Sequence, residues 1–318
     1  MKKLLTMIMV LVLVLSCAVC GFAEGEKKMV YAVGPSGDVI WDQWIKGLED
    51  ASAECGYDFQ YVNIPDLSNY DASCAPLLET GITNGADILV GLIIDYPMYD
   101  ELFRRAHDSG IVTVATNAGW TDQMEGAVDF AVSIDPVSIA NTQVEALQDA
   151  VGDNEATMIF MRSQFANPAQ TTIWETINEL LKDSANIKVL DQYESLADSV
   201  RAAQIITDVR KVDDVNAVIM NDGAGTVGVG NYISENHLED EIFMVGIDYN
   251  EQSLQFTKDG VIDRLVTQNW YNVGYLSVAK AKELIDGAEV PNFVDAGTEV
   301  LTAETAADFA LTLGYTLK

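Results

Sequence analysis

Basic residues are what this chain is short of. Eighteen Lys and Arg stand against 49 Asp and Glu, a formal net charge of −31, and a surface of that sign repels phosphate backbones, which excludes nucleic acid as a partner. Histidine is scarce too: His107 sits between charged residues in a helical pattern and His237 precedes Glu239-Asp240, so both read as surface residues. No His and Cys spacing suggests zinc, no Asp/Asn run fits a calcium loop, and neither GxSxG nor a Walker pattern occurs. Neither a cofactor nor a metal is expected. There is no low-complexity tract, and 49% of residues are hydrophobic, so the acidity belongs to a globular chain and not to a disordered one.

Long apolar runs are confined to the start. Lys2-Lys3, an apolar stretch over residues 4–15 and then small residues make residues 1–23 a signal peptide, too short with these flanks for a membrane span. Gly21-Phe22-Ala23 offers a cut before Glu24, while Val14-Leu15-Ser16-Cys17 resembles, imperfectly, a lipoprotein cut ahead of a lipidated cysteine. Either cut leads to an exported chain, in the periplasm or at the outer face of the cytoplasmic membrane, and the second adds a lipid anchor. Loss of the two lysines takes the net charge to −33.

Cysteine is sparse as well. Only Cys55 and Cys74 lie beyond both cuts, and although export would permit a disulfide, their helices should cover opposite faces of a sheet. Layers so separated stand roughly 20 Å apart, against the ~7 Å that a disulfide tolerates between Cα atoms. Both are expected as free thiols.

What the chain has in quantity is alternation of short apolar strands with helical patterns. Strands are predicted to begin near Met29, Phe59, Asp87, Ile111 and Phe130, and again near Thr157, Lys188, Ala217, Ile242 and Ile262. Residues 198–212 carry one apolar stripe, Ala202, Ile205, Ile206, Val209 and Val212, at helical spacing. Asp135-Pro136 reads as an N-cap followed by a first-turn proline. Two such strand sets imply an α/β protein of two doubly wound parallel-sheet domains, with no Pro-rich or Ser-rich linker between them. Their strand ends should line a shared cleft.

Within residues 216–233, an apolar strand runs into Asn221-Asp222 and a helix opens at Gly223. Gly223-Ala224-Gly225-Thr226-Val227-Gly228 is formally a GxGxxG. Asp222 just before it would oppose a pyrophosphate, so these small residues read as close helix packing. A carboxylate beside an amide suits a hydroxyl-rich ligand. Asp222 and Asp248 as a hydrolytic carboxylate pair is the weaker reading.

Several stretches together carry a family resemblance over essentially all the chain after residue 23: MVYAVGPSGDVIWDQWIKGLEDASAECGY, ADILVGLIID, SGIVTVATNAG, NAVIMNDGAGTVGVG, IFMVGIDYN and IDRLVTQNWYNVG. In their order and spacing they resemble type I periplasmic binding proteins of the ribose and galactose group. The resemblance implies an exported monomer that takes a sugar or polyol into an interdomain cleft, without catalysis, and passes it to the membrane permease of an ABC transporter. A receptor serving a sensor kinase or chemoreceptor, or an exported carbohydrate enzyme, is the alternative. A sugar-responsive repressor of the same fold would need a helix-turn-helix headpiece where this chain has its leader.

Carried residue by residue, the resemblance places ligand contacts at Asp38 and Trp41 after the first strand, Asp95 after the third and Asn117 after the fourth. In the second domain it places them at Thr171, Asn221, Asp222, Asp248 and Gln268. Two departures stand out. Gln170-Thr171-Thr172 occupies the place where many relatives have an arginine, with Arg162 the only basic residue nearby, and Asn117-Ala118 the place of Asp-Arg. Missing both cations argues against ribose and leaves a neutral polyol or another sugar. Trp120, Trp174 and Trp270 are candidates for pocket walls or for core and hinge packing. The domains are expected at residues 29–117 plus 269–291 and 118–268 plus 292–318, with crossings near Asn117-Ala118, Gln268-Asn269 and Asn292-Phe293.

Overall fold

A computed structural model describes residues 28–64, 69–94 and 96–318. The expected signal peptide, and Asp95 among the expected site residues, lie outside the described residues.

The first half of the chain alternates β1 (Met29–Gly34), α1 (Val39–Cys55), β2 (Asp58–Asn63), α2 (Tyr70–Thr83), β3 (Ile88–Leu92), α3 (Asp100–Asp108), β4 (Val112–Thr116) and β5 (Phe130–Ser133). A second series follows: α4 (Pro136–Val151), β6 (Ala156–Arg162), α5 (Pro168–Leu181), β7 (Ile187–Glu194), α6 (Ser199–Val209), β8 (Ala217–Asn221), α7 (Gly223–Asn236), β9 (Phe243–Ile247), α8 (Glu251–Lys258) and β10 (Arg264–Gln268). The chain ends with α9 (Trp270–Ile285), β11 (Phe293–Asp295), β12 (Thr298–Leu301) and α10 (Ala306–Thr312).

These strands form two sheets of six, ordered β11-β5-β4-β3-β1-β2 and β12-β10-β9-β8-β6-β7. All neighbours pair in parallel except β12, which runs antiparallel to β10. Central strands β3 and β8 are buried along their whole length while edge strands β2 and β7 are half exposed, the burial expected of sheets covered by helices on both faces.

The sheets correct the expected domain limits. Both β5 and β11 belong to the first sheet, so the chain crosses at residues 134–135, 268–269 and 296–297, and the expected crossings at Asn117-Ala118 and Asn292-Phe293 fall inside the first domain or one strand early. Helix α4, reached by the first crossing, packs on β9, β10 and β12. The crossings are bonded side by side: Asp135 N–H donates to Asp295 Oδ1 (3.1 Å), Asn269 N–H to the Gly297 carbonyl (3.2 Å), and the Thr142 and Thr298 hydroxyls lie 2.8 Å apart. Gly297 has φ +80°, which only glycine adopts at little cost.

Glycines also bring helices into backbone contact. A Cβ at Gly47 of α1 would stand 2.1 Å from the Tyr271 carbonyl oxygen, and one at Gly274 of α9 would stand 2.0 Å from that of Trp44. In the second domain a Cβ at Gly228 would meet the Ser199 carbonyl oxygen at 2.1 Å. The last glycine of the GxGxxG therefore closes α7 onto α6. Val212 is a correction to the expected stripe: α6 ends at Val209, with Arg210 as its C-cap, and Val212 is 78% exposed.

Cys55 ends α1, which covers one face of the first sheet with Trp44, Leu48 and Ala51, while Cys74 lies in α2 on the other face with Leu78. Both are free thiols. Burial pushes the Cys74 thiol up to about 12, which makes it a core residue and not a reactive one.

Candidate functional site

The C-terminal ends of the strands from both sheets meet across a cavity of about 890 Å³. The first domain supplies Ile94 and Tyr96 beyond β3, Asn117 to Thr121 beyond β4, and Ser133-Ile134 at the first crossing. The facing wall is the loop after β6 and the first turn of α5, including Gln164, Asn167 and Thr172. A smaller cavity, about 60 Å³, lies by β10 and is lined by Gln43, Tyr249, Gln268, Asn269, Trp270 and Glu299 among others. Strands β8 and β9 stand between β6 and β10 in the sheet.

The expected residues occupy unequal places in this arrangement. Asn117 lines the large cavity, with φ +64°, at the end of the fourth strand of its sheet. Asp248 has φ +62° at the end of the fourth strand of the other. Asn and Asp tolerate this left-handed conformation better than most residues, and both domains use it to turn a polar side chain at the same point. Asp38 is exposed and caps α1, accepting from Ile40 N–H at 3.0 Å. Trp41, half-buried in the first turn of α1, meets Trp270 edge to face at 5.0 Å.

Deeper in the second domain the polar groups interlock. Asn221 is 5% exposed; its Nδ2 donates to Gln143 Oε1 (3.3 Å), and its backbone carbonyl accepts from Gln170 Nε2 (2.6 Å). Gln170 Oε1 accepts in turn from Ser163 Oγ and Gln164 N–H. Asp222 already uses both oxygens within the fold: Oδ1 caps α7 through Gly225 N–H, and Oδ2 accepts from Ser195 Oγ, each at 2.5 Å. Its carboxylate thus fills the helix end that a phosphate would need.

Thr171 is engaged as well, its hydroxyl oxygen accepting from Arg162 Nη1 (2.9 Å) while it donates to the Asn167 carbonyl. Arg162 lies opposite Asn221 in the sheet register, is 4% exposed, and forms no ion pair among the described residues. Its Nη2 donates to the Phe165 carbonyl, and the guanidinium lies 4.8 Å from the Phe165 ring, so it braces the loop beyond β6. Burial holds it below its ordinary value.

Gln268 donates through Nε2 to Asp248 Oδ1 at 2.6 Å. Burial pushes the Asp248 carboxyl up to about 6 against this bond, and the negative charges of Asp222 and Asp38 add to the rise. A carboxyl so placed accepts a hydroxyl hydrogen strongly and is relieved when a donor arrives.

Of the three open tryptophans, Trp120 lines the large cavity. Trp174 stacks on Phe160 at 5.6 Å and lines an outer groove instead; Trp270, almost wholly buried, buttresses Trp41. The sequence reading missed Gln143 and Gln170 in these roles. A signal was available: each is a glutamine on the buried stripe of its helix, between Ile139 and Leu147 in one case and before Ile173 and Ile177 in the other, where an apolar residue is the ordinary choice.

Residues 29–289, most of the chain, match the periplasmic binding protein domain. The chain belongs to the periplasmic binding protein family. No curated protein matches this family member by sequence. Among solved structures it is similar to a sugar-binding protein of a sugar ABC transporter from Bacillus halodurans (TM-score 0.79, 18% identity, covering 89% of this chain and 99% of that one). It is also similar to an arabinose binding protein from Geobacillus stearothermophilus (TM-score 0.78, 17%, 89% and 99%) and to a glucose-galactose binding protein from the same organism (0.71, 19%, 88% and 99%). At such identities the likeness is one of fold, and this periplasmic binding protein shares with them the two-sheet architecture around a cleft.

Proposed function

We propose that this protein is an extracytoplasmic solute-binding protein that captures a sugar or related polyol between its domains and delivers it to the permease of an ABC transporter. The single observation that carries this reading is the interdomain cavity, with an aromatic wall at Trp120 and neutral amides and hydroxyls at Asn117, Gln164, Asn167 and Thr172; Asn221 and Asp248 stand at the ends of the neighbouring strands β8 and β9. An aromatic face takes the C–H side of a sugar ring, while carboxylates and amides take its hydroxyls in fixed directions. The arabinose and glucose-galactose binding proteins of similar fold support it. Asp38, Trp41, Asp95, Asn117, Asn221, Asp248 and Gln268 are the ligand contacts in this reading, with Asp222 and Thr171 holding the site together from behind.

Binding without chemistry suffices. The hydrolytic pair read at Asp222 and Asp248 would need both carboxyl groups free, and Asp222 has committed both of its oxygens within the fold. The family and the leader read at residues 1–23 support export, and the family supports a membrane partner.

A thermal-shift screen of aldopentoses, aldohexoses and polyols tests the proposal. A ligand present at a hundred times its Kd adds about 2.7 kcal/mol to stability, so at least one compound should raise the melting temperature by roughly 5 °C or more. A flat response across the panel, with the protein folded, overturns it.

A further inference from the structure

We infer that Gln143 is a positioning residue that fixes the rotation of the Asn221 amide, holding its nitrogen toward Gln143 and leaving its oxygen at the end of β8 as an acceptor for a ligand hydroxyl. The relay starts from a group with no choice. The Met220 carbonyl can only accept, so Gln143, 3.1 Å away, must turn Nε2 toward it. That leaves Oε1 facing Asn221, which answers with Nδ2 at 3.3 Å. Gln143 is fully buried, where no bulk water can replace either bond and a reversed amide would set oxygen against oxygen. With one N–H of Nδ2 given to Gln143, the amide is held in one rotation, and Asn221 keeps Oδ1 as an acceptor that takes no hydrogen bond from the described residues. Gln170, on the other side, holds the Asn221 backbone carbonyl at 2.6 Å and pins the end of the strand.

The neighbouring strand end adds the carboxyl of Asp248, so β8 and β9 together face the ligand with acceptors. The ligand class is thereby narrowed to polyols with a free hydroxyl at this point, and a group that only accepts, such as an ether or a fluorine, binds more weakly there. This narrowing rests on the sugar-binding proposal, whereas the orientation of Asn221 does not.

Two measurements test it. In ligand-free, ¹⁵N-labelled protein, the Asn221 side-chain NH₂ pair, identified by its loss in Asn221→Asp, should exchange with solvent at least about tenfold more slowly than exposed amides. The protection should vanish in Gln143→Met. It should persist in Gln143→Glu, whose buried acid takes up a proton and can still donate to Met220 and accept from Asn221. Protection unchanged in Gln143→Met, or absent in the wild type, overturns the relay, and the wild-type result decides even should Gln143→Met fail to fold. The second measurement uses calorimetry with D-glucose, D-galactose and their mono-deoxyfluoro derivatives, in which fluorine replaces a donor. Wild type and Gln143→Glu should reject one derivative by at least about tenfold, and Gln143→Met should narrow that ratio below about threefold; an unchanged ratio overturns the specificity role. Should the wild type bind neither sugar nor derivative, the sugar proposal loses these candidates while the exchange measurement still decides the relay.

Discussion

The two walls of the cleft are built differently. On the first-domain side Asn117 and Asp38 are exposed and Trp41 and Trp120 are only half-buried, and the two polar side chains are each held by a single bond, so in the proposed role this wall offers aromatic faces and lightly held polar groups. On the second-domain side Asn221, Asp222, Gln170 and Gln143 are buried; Gln170 and Gln143 both bond Asn221, and Asp222 is held by Ser195 and Gly225. A site with one preorganised wall and one adaptable wall binds first to the rigid one and closes the other over it. Affinity and specificity should therefore reside mostly in the second domain.

The largest expected effect tests whether the domains, unlike in their walls, depend equally on close helix contact. Gly274→Val in the first domain and Gly228→Val in the second each force a side chain into a neighbouring carbonyl, and each should cost on the order of 3 kcal/mol or more, read by chemical denaturation. A mild effect at one site would show that its helices can part, and that the two domains are not equivalent frames. Next in size is the comparison of the walls themselves. Asn221→Ala should weaken binding of the captured sugar by about 2 kcal/mol, roughly thirtyfold, and Trp120→Ala by about 1 kcal/mol, roughly fivefold. Calorimetry giving the reverse order would place the rigid wall in the first domain.

The smallest effect concerns pH. Asp248 titrates near 6 in the folded protein and near 4 unfolded, so between those values the native state holds a proton that the unfolded chain has lost. Stability should then fall as pH rises through that window, and level off above it. Allowing for partial exposure, the loss is on the order of 1 to 2 kcal/mol. Asp248→Asn, which keeps an acceptor for Gln268 and suits the positive φ, should melt higher than wild type at pH 7 and match it at pH 4. Identical melting at both values would deny Asp248 any burdened charge.

Much of this was legible beforehand because it is local. Strand and helix periods, the Asp135-Pro136 cap and the packing role of Gly228 all arise from neighbours in the chain. The crossing at residues 134–135 was not legible. A strand followed by a capped helix reads alike whether the helix returns to its own sheet or departs for another, and nothing in Phe130–Ser133 distinguishes the two. The site residues divide the same way. Asn221 and Asp248 lie at strand ends, where any parallel sheet meets its ligand. Asp222 also lies at a strand end, yet its oxygens are taken by Ser195 and Gly225, a pairing that depends on where the end of β7 comes to rest. Gln143 and Gln170 stand out as glutamines on the buried stripes of their helices, but the partner that each bonds is set only when the end of β8 comes between them.

The interleaved order of the domains bears on how the chain is made. The first sheet begins with residue 29, but its edge strand β11 comes from Phe293–Asp295 and its covering helix α9 from Trp270–Ile285. During synthesis from the N-terminus, the domain started first cannot be completed until nearly the whole polypeptide has emerged. Until then β5 presents an unpaired edge, and α1 lacks the helix whose backbone it must touch. Contacts so distant in sequence slow folding by raising contact order, and they delay compaction to the end of translation, the interval in which a chain bound for export must still be threaded through a membrane pore.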